Sequence, residues 1–285
     1  MQTVENADIM GKKVADQLVE TICRAGIRHI YAVTGDSLNE VNDAVRRAGT
    51  VRWVHVRHEE SGAFAAAAES ELNGIACCAG SSGPGHVHLI NGLYDAHRSN
   101  CPVLAIASTC PSDQFGTGYF QETDPIRLFD DCSGYNQMAV TPAQFARMLP
   151  AALQHAIHRR EVAVVGLPGD VAASPCAESP GASGPLPSHG IYRPLDGELR
   201  QLAEMIGSAE RITVFCGIGA REAHDEVVRL AAMLKAPVAY TFKAKMEVQY
   251  DNPYEIGMTG LLGLPSAYGA MHESDLLLLL GTDFP

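Results

Sequence analysis

Two adjacent carboxylates, Glu59 and Glu60, are candidates for side chains that transfer protons. They fall in VRHEESGAFAAAAES, residues 56–70, between a β-branched run and an alanine-rich segment that predicts a helix. A buried carboxyl group at such a position can act as a general acid or base. An acid in the first turn of a helix is also favoured by the helix dipole, by about 0.3–1 kcal/mol, without any chemical role. By spacing alone, the second interpretation is sufficient.

Three short glycine-containing loops each join an apolar run to a predicted helix. They read AVTGDSLNEV (32–41), AGSSGPGHVHL (79–89) and CGIGARE (216–222). A strand-to-helix loop can present free backbone amides to an anion or a polar ring. The same residues also make ordinary tight turns, with Asp36 or Ser37 as a helix cap. The third loop fails the dinucleotide fingerprint because Glu222 occupies the last glycine position.

Composition and the remaining motifs exclude several classes of protein. The eleven histidines include no HExxH, the eight cysteines form no CxxC, and no GxSxG occurs, so we predict no metal ligands and no hydrolase triad. The net charge of −12 argues against nucleic acid as the main partner. No apolar run approaches the ~18 residues of a membrane span, and no secretory signal precedes the first helix. Free thiols and a cytoplasmic location are therefore expected.

Apolar runs alternate with segments of helical periodicity. Helices are predicted near 12–25, 38–47, after Glu59 and at 143–159, and the predicted strands are IRHIYAVTG, VRWVHV, GIACCAG, CPVLAIAS and EVAVVGLPGDV. Such alternation is typical of an α/β fold whose parallel sheet is covered by helices on both faces.

A second α/β unit follows a segment rich in Pro, Gly and Ser at 174–195. We expect a helix at 196–208, a strand ITVFCGIG, a helix at 221–235, and strands PVAYTF and DLLLLLG, the last of them buried. The predicted organisation is a domain at 1–180, a linker at 181–195 and an incomplete domain at 196–285.

Taken together, the motifs resemble the thiamine-diphosphate-dependent pyruvate oxidase family. In order they are VTGDSLN, RHEESGAFAAAAE, GSSGPGHVHLINGLYDAH, PVLAIAS, GYFQETDP, VAVVGLPGDV, YDNPYEIGMTGLLG and GTDFP. His88 stands where acetolactate synthases usually have Asn, so the HLINGLYDAH run is more similar to pyruvate oxidases. Within the family, the motif series as a whole most resembles the quinone-linked pyruvate dehydrogenases. The resemblance implies a pyrimidine-binding domain and a partial, Rossmann-like FAD-binding domain. The Gly-Asp-Gly motif by which the family's diphosphate-binding domain holds Mg²⁺ is absent from this sequence.

The resemblance also implies roles for individual residues. Glu59 is expected to hydrogen-bond N1′ of the thiamine aminopyrimidine ring and so to promote loss of the C2 proton, whereas Glu60 is expected to be a surface charge. Phe120 and Gln121 are the implied active-site pair. Further contacts to thiamine diphosphate are implied for Gly35, Asp36, Pro84, Gly85 and His88. Contacts to FAD are implied for Gly217, Gly219, Ala220, Thr259, Gly260, Leu261, Leu262, Gly281, Thr282, Asp283, Phe284 and Pro285.

The implied reaction is oxidative decarboxylation of pyruvate to acetate and carbon dioxide, with electrons passing through FAD to quinone or, in other members, to oxygen. An acetolactate synthase-type carboligase and a truncated non-catalytic subunit remain alternatives. The resemblance further implies a homo-oligomer with paired active sites, usually a tetramer, in the cytoplasm or at the inner face of the cell membrane. Because the magnesium and diphosphate ligands are missing, we expect the 285-residue chain alone to have no turnover.

Overall fold

The computed structural model describes residues 11–177 and 193–283, which fall into two compact units divided between those ranges. Both units are α/β with a parallel sheet, as the sequence predicts. The predicted flavin residues Phe284 and Pro285 lie outside the described residues, as does the linker up to residue 192. The exact domain boundaries therefore stay predictions.

The sheet of the first unit has six parallel strands in the order β2-β1-β3-β4-β6-β5. The strands are β1 His29–Ala32, β2 Arg52–His55, β3 Ala76–Gly80, β4 Val103–Thr109, β5 Tyr135–Met138 and β6 Val162–Pro168. The central strands β3, β4 and β6 are buried along their whole length. Strand β5 is absent from the sequence prediction because its residues, Tyr-Asn-Gln-Met, form no apolar run, and it lies at an edge, paired with β6 alone.

Helices cover both faces of this sheet. They are α1 Val14–Arg24, α2 Asn39–Ala48, α3 Glu59–Asn73, α4 Pro84–Val87, α5 Ile90–Arg98, α6 Pro125–Leu128, α7 Pro142–Arg159 and α8 Gly169–Ala173. One core contains α1, α2, α7 and α8 with Leu104 and Ile106 of β4, and the other contains α3 and α5 with Val103 and Ala105. Successive residues of β4 thus enter opposite cores, which is the two-residue alternation of a strand.

The first residues of the Pro/Gly/Ser-rich segment belong to the first unit. The amide of Val14 donates to the carbonyl of Ser174 at 3.0 Å, and the amide of Cys176 donates to the carbonyl of Lys12 at 2.8 Å. All eight cysteines are free thiols. No described helix combines the length and the apolar character needed to cross a bilayer.

The second unit has four parallel strands in the order β10-β7-β8-β9. Its elements are α9 Asp196–Ser208, β7 Ile212–Cys216, α10 His224–Leu234, β8 Val238–Tyr240, α11 Lys245–Val248, β9 Glu255–Met258, α12 Pro265–Glu273 and β10 Leu276–Leu280. The helix predicted from residue 221 instead begins as a 3₁₀ turn, Ile218–Ala223. Strand β9 and helix α12 are not in the sequence prediction.

Strand β10 corrects a sequence expectation. DLLLLLG is predicted as a buried strand, but among its residues only Leu278 is buried, and Leu279 is 45% exposed. Within the described part of the chain β10 pairs only with β7, so it is an edge strand with one uncovered side.

Candidate functional site

Glu59 is the first residue of α3, and it follows the end of β2 by a short turn. The His58 side chain caps the helix, because its Nδ1 accepts the amide hydrogen of Glu60 at 3.2 Å. Glu59 is 7% exposed, so its carboxylate lies largely out of contact with solvent. A charged or polar group is rarely buried without a partner, so this carboxylate marks a candidate site.

The partner of Glu59 is His88, which follows the short helix α4. Its Nδ1 donates to Oε2 of Glu59 at 3.1 Å. Among the described residues this is the only side-chain hydrogen bond of Glu59, so Oε1 is left without one. Gly85 also lies beside the carboxylate, since a Cβ built on that glycine would be 3.4 Å from Oε1. The structure thus brings three of the predicted site residues together.

His58 stacks on His88, which the sequence analysis did not anticipate. The ring centroids are 4.5 Å apart and the planes differ by 23°. Ligand atoms of His58, Glu59 and His88 lie within 4.8 Å of one another. The lone pair of an imidazole nitrogen lies in the plane of its ring. Because the two ring planes are nearly parallel, they intersect much farther from the nitrogens than the ~2.0–2.1 Å length of a zinc–nitrogen bond. As oriented, the two imidazoles do not converge on one ion.

Glu60 has a different environment from its neighbour. Its Oε1 accepts a hydrogen bond from Nδ2 of Asn91 in α5 at 2.6 Å. This bond joins the two helices that cover one face of the sheet. The structure therefore separates the two carboxylates, with Glu59 buried beside α4 and Glu60 linking α3 to α5.

The loop between β3 and α4 packs so closely that two glycines at its ends leave no space for a side chain. A Cβ on Gly80 would lie 2.4 Å from Cα of His86, and one on Gly85 would lie 2.4 Å from Oγ of Ser81. Pro84 is the first residue of α4 and has the fixed φ that a first helical turn needs. These positions cannot take a larger residue without movement of the loop.

The loop that contains Gly35 and Asp36 packs against the same segment. A Cβ on Gly35 would lie 2.4 Å from Cβ of Ser81, and the hydroxyl of Ser37 accepts the amide hydrogen of Ser82 at 2.9 Å. Asp36 is exposed, and its carboxylate accepts the amide hydrogen of Ser37. Asp36 is the first residue of a short 3₁₀ turn and does not cap it, contrary to the capping interpretation of the sequence, and a cofactor contact for Asp36 stays a prediction.

Phe120 and Gln121 lie on the loop that faces the start of α4. Gln121 has a φ of 58°, a left-handed conformation that costs a residue other than glycine roughly 1–3 kcal/mol. The hydroxyl of Ser82 donates to its Oε1 at 3.1 Å, and a Cβ on Gly83 would lie 2.7 Å from Cβ of Gln121. Phe120 is 75% exposed. Residues in strained backbone conformations of this kind cluster at ligand sites.

In the second unit, the predicted flavin loops pack against one another. A Cβ on Gly217 would lie 2.2 Å from the carbonyl oxygen of Gly281, and one on Gly219 would lie 2.8 Å from Cα of Gly281. The amides of Gly217, Gly219 and Ala220 already donate to backbone carbonyls within the unit. Chain packing accounts for these glycines, and their amides are not free to hold a phosphate.

A depression of about 380 Å³ lies beside these loops. It is lined by Gly219, Ala220, Ala223, Glu226, Val227, Leu230, Leu279, Leu280 and Gly281, and its surface is mostly apolar. Thr259 and Gly260 follow β9, and Leu261 and Leu262 beyond them are both exposed. Thr282 and Asp283 directly follow Gly281 at the end of the described chain. The structure gives no feature specific to flavin at these positions, so their role stays a prediction.

His86 is a further residue whose role the sequence did not reveal. It is completely buried, and both ring nitrogens have hydrogen-bond partners. Its partners lie 22 and 37 residues away along the chain. No local pattern could have indicated these contacts.

The parallel α/β fold and the buried carboxylate beside a glycine-rich strand-to-helix loop are features of a protein that binds a polar cofactor at the ends of its strands. Family models agree with this class. Residues 12–128 match the thiamine pyrophosphate enzyme N-terminal TPP binding domain, and residues 199–285 match the central domain of the same enzymes. The chain belongs to the thiamine pyrophosphate enzyme family.

Individual relatives extend the comparison. An uncharacterized 42.6 kDa protein of Pseudomonas amyloderamosa is 50% identical over 275 residues, which is 96% of this chain and 69% of that protein. The pyruvate oxidase of Lactiplantibacillus plantarum is 33% identical over 91% of this chain and 44% of its own length. An acetolactate synthase of Arabidopsis thaliana is 30% identical over 96% of this chain and 42% of its own length. This chain thus spans less than half of the two named enzymes.

Proposed function

We propose that the whole protein uses thiamine diphosphate to convert pyruvate oxidatively to acetate and carbon dioxide. The observation that carries the proposal is the buried carboxylate of Glu59, oriented by His88 and with Oε1 left to bind a ligand. Similarity to a pyruvate oxidase supports the choice of reaction.

The residues present fit the aminopyrimidine ring of this cofactor. Oε1 of Glu59 lies beside Gly85, and it has no hydrogen-bond partner among the described residues, so it is available to a ring nitrogen. Thiamine diphosphate, when bound, supplies the electron sink that decarboxylation of a 2-oxo acid requires. Glu59 would hold a proton at N1′ of the ring, and His88 would keep the carboxylate in the orientation for that contact.

Two residues would act on the substrate side. Because Oε1 of Gln121 accepts from Ser82, its Nε2 group is free to donate to a carboxylate such as that of pyruvate. Phe120 exposes most of its ring and would exclude water from the reacting carbons.

The other cofactors and partners rest on the family resemblance alone. The amides of the glycine loops in the second unit are already used within the chain, so we derive no step through FAD. Mg²⁺ would be held by a Gly-Asp-Gly motif, which this sequence does not contain. A quinone acceptor, a homo-oligomer and a location in the cytoplasm or at the membrane face are likewise part of the proposal.

Acetolactate synthase chemistry is the second candidate, because relatives of that name are about as similar as the pyruvate oxidase. Product analysis separates the two. The reading frame that contains this sequence is expressed whole and incubated with pyruvate, thiamine diphosphate, Mg²⁺, FAD and a soluble quinone. We expect acetate and quinone reduction, both lost in Glu59→Gln. Acetolactate as the main product would favour the carboligase. If the chain binds a longer partner and forms no product itself, the result would favour a non-catalytic subunit.

A further inference from the structure

The contacts of His86 fix its tautomer. Its Nδ1 lies 2.8 Å from the carbonyl oxygen of Ser108, which can only accept, so Nδ1 carries the hydrogen. Its Nε2 therefore accepts from the hydroxyl of Thr123, at 2.6 Å. Burial lowers the pKa of His86, an effect that the bond to Ser108 partly opposes, and so favours the neutral ring that this arrangement needs.

One end of this bridge is rigid. Ser108 lies near the end of the buried strand β4, and its hydroxyl oxygen lies 2.8 Å from the carbonyl oxygen of Ser37 and 3.1 Å from that of Leu167, which share its one hydrogen. The ring of Phe129 packs edge-on against His86, with centroids 5.9 Å apart. The imidazole is thus fixed to the sheet, and it presents an acceptor at a defined place.

The other end of the bridge is a loop that is organised within itself. The carboxylate of Glu122 accepts amide hydrogens from Gly116 at 2.5 Å, Gly118 at 2.8 Å and Tyr119 at 3.0 Å. These bonds hold the pKa of Glu122 below its ordinary value, and the bond from Gly116 has the largest effect. Residues 116–122 therefore form a loop closed by hydrogen bonds within itself, and Thr123 directly follows it.

We propose that His86 is a positioning residue that, through Thr123, holds the closed loop of residues 116–122 against α4 and so sets where Phe120 and Gln121 stand relative to Glu59. The Ser82–Gln121 bond, at 3.1 Å, ends on a half-buried glutamine, whereas the Thr123–His86 bond, at 2.6 Å, ends on a fully buried imidazole that is itself held by Ser108. The inference rests on the proposed function, because that function gives Phe120 and Gln121 their roles.

Hydrogen–deuterium exchange on the 285-residue chain tests the positioning without any cofactor. In Thr123→Val, which keeps the shape but removes the hydroxyl, we expect the amides of residues 116–122 to exchange about three- to tenfold faster. Thr123→Ser keeps the hydroxyl and should restore the wild-type rate. The amides of β4 report on the fold and should be unchanged in both variants.

The coupling to His86 is tested by the same measurement. His86→Gln should also accelerate exchange in the loop. Adding Thr123→Val to it should have little further effect, because each change removes the same hydrogen bond, that between Thr123 and residue 86. Wild-type loop exchange in Thr123→Val, or a Thr123→Ser variant that behaves like Thr123→Val, would overturn the proposal. If an exchange increase in β4 shows that His86→Gln is unfolded, the Val and Ser pair decides alone.

A functional measurement completes the test in the whole protein with pyruvate. Thr123→Val should lower kcat by about tenfold or more, as misplaced groups do, and Thr123→Ser should restore it. Faster amide exchange in residues 116–122 of Thr123→Val without any loss of kcat would refute the positioning role. Failure of the proposed function is a separate result, seen as inactivity of the wild-type protein with the exchange pattern intact.

Discussion

The two units of this chain differ in how completely they bury their secondary structure. In the first unit, helices on both faces enclose strands β3, β4 and β6, and the polar groups around Glu59 are tied to one another by hydrogen bonds. In the second unit, α9 has no buried residue, and Leu199, Leu202 and Met205 are exposed. A site that must hold a carboxylate in a fixed orientation needs the first kind of surroundings, because a buried polar group depends on closely packed neighbours.

The largest expected effect compares a central strand with an edge strand. Leu104→Ala empties a fully buried position on β4 and should lower the free energy of unfolding of the first unit by about 2–5 kcal/mol. Leu278→Ala on β10 should cost the second unit less, because β10 is an edge strand that pairs only with β7 in the described part of the chain, so the site can relax. Denaturant unfolding measures both. Leu279→Ala, at an exposed neighbour, is the control and should stay within about 0.5 kcal/mol of wild type. Equal losses at residues 104 and 278 would contradict the comparison.

A pair of glycines should respond with opposite signs. A Cβ on Gly92 in α5 would lie 2.5 Å from Cβ of Ala63 and 2.9 Å from the amide nitrogen of Phe64, so Gly92→Ala should cost about 1–3 kcal/mol. A Cβ on Gly197 in α9 would contact nothing, so Gly197→Ala should gain about 0.4–1 kcal/mol. Thermal unfolding of each variant measures the difference. A loss of stability in Gly197→Ala would show that α9 is more enclosed than the structure indicates.

The smallest effect is a pH dependence confined to the first unit. Burial lowers the pKa of His86 in the folded state, so below about pH 6.5 the unfolded chain binds a proton that the folded chain does not. The stability contributed by neutral His86 is thus complete above that pH and falls as pH drops toward the folded-state value, by at most about 1.4 kcal/mol per pH unit. Unfolding from pH 7.5 to 5 should show this slope in wild type and a shallower one in His86→Gln. An unchanged slope in the variant would assign the pH dependence to other groups.

Much of the fold could be predicted from the sequence, because its strongest signals are local. Apolar runs such as VLAIAST specify buried parallel strands, and residues 196–208 carry a helical period that the structure reproduces as α9. The missed strands, β5 and β9, lie at the edges of their sheets. An edge strand needs no apolar run, so its sequence resembles a loop, and only pairing with a neighbour reveals it.

The candidate site was predictable only in part, for a related reason. Glu59, Gly85 and His88 belong to motifs that indicate a site, and the structure places them together. The stacking of His58 on His88 and the bridge from Ser108 through His86 to Thr123 join distant parts of the chain. Such contacts depend on how the strands are ordered in the sheet, which residue spacing does not encode.

Glu59 and Glu60, the two carboxylates of the HEE sequence, are assigned different roles. Thiamine diphosphate is mixed with the whole protein in deuterium oxide, and exchange of its C2 proton is followed by NMR after rapid quenching. Glu60→Gln is the matched control, because a glutamine oxygen can still accept from Asn91. We predict that Glu59→Gln slows C2 exchange by about 100-fold or more, whereas Glu60→Gln leaves it close to the wild-type rate. Equal rates in the two variants, or a greater loss in Glu60→Gln, would contradict this assignment of roles.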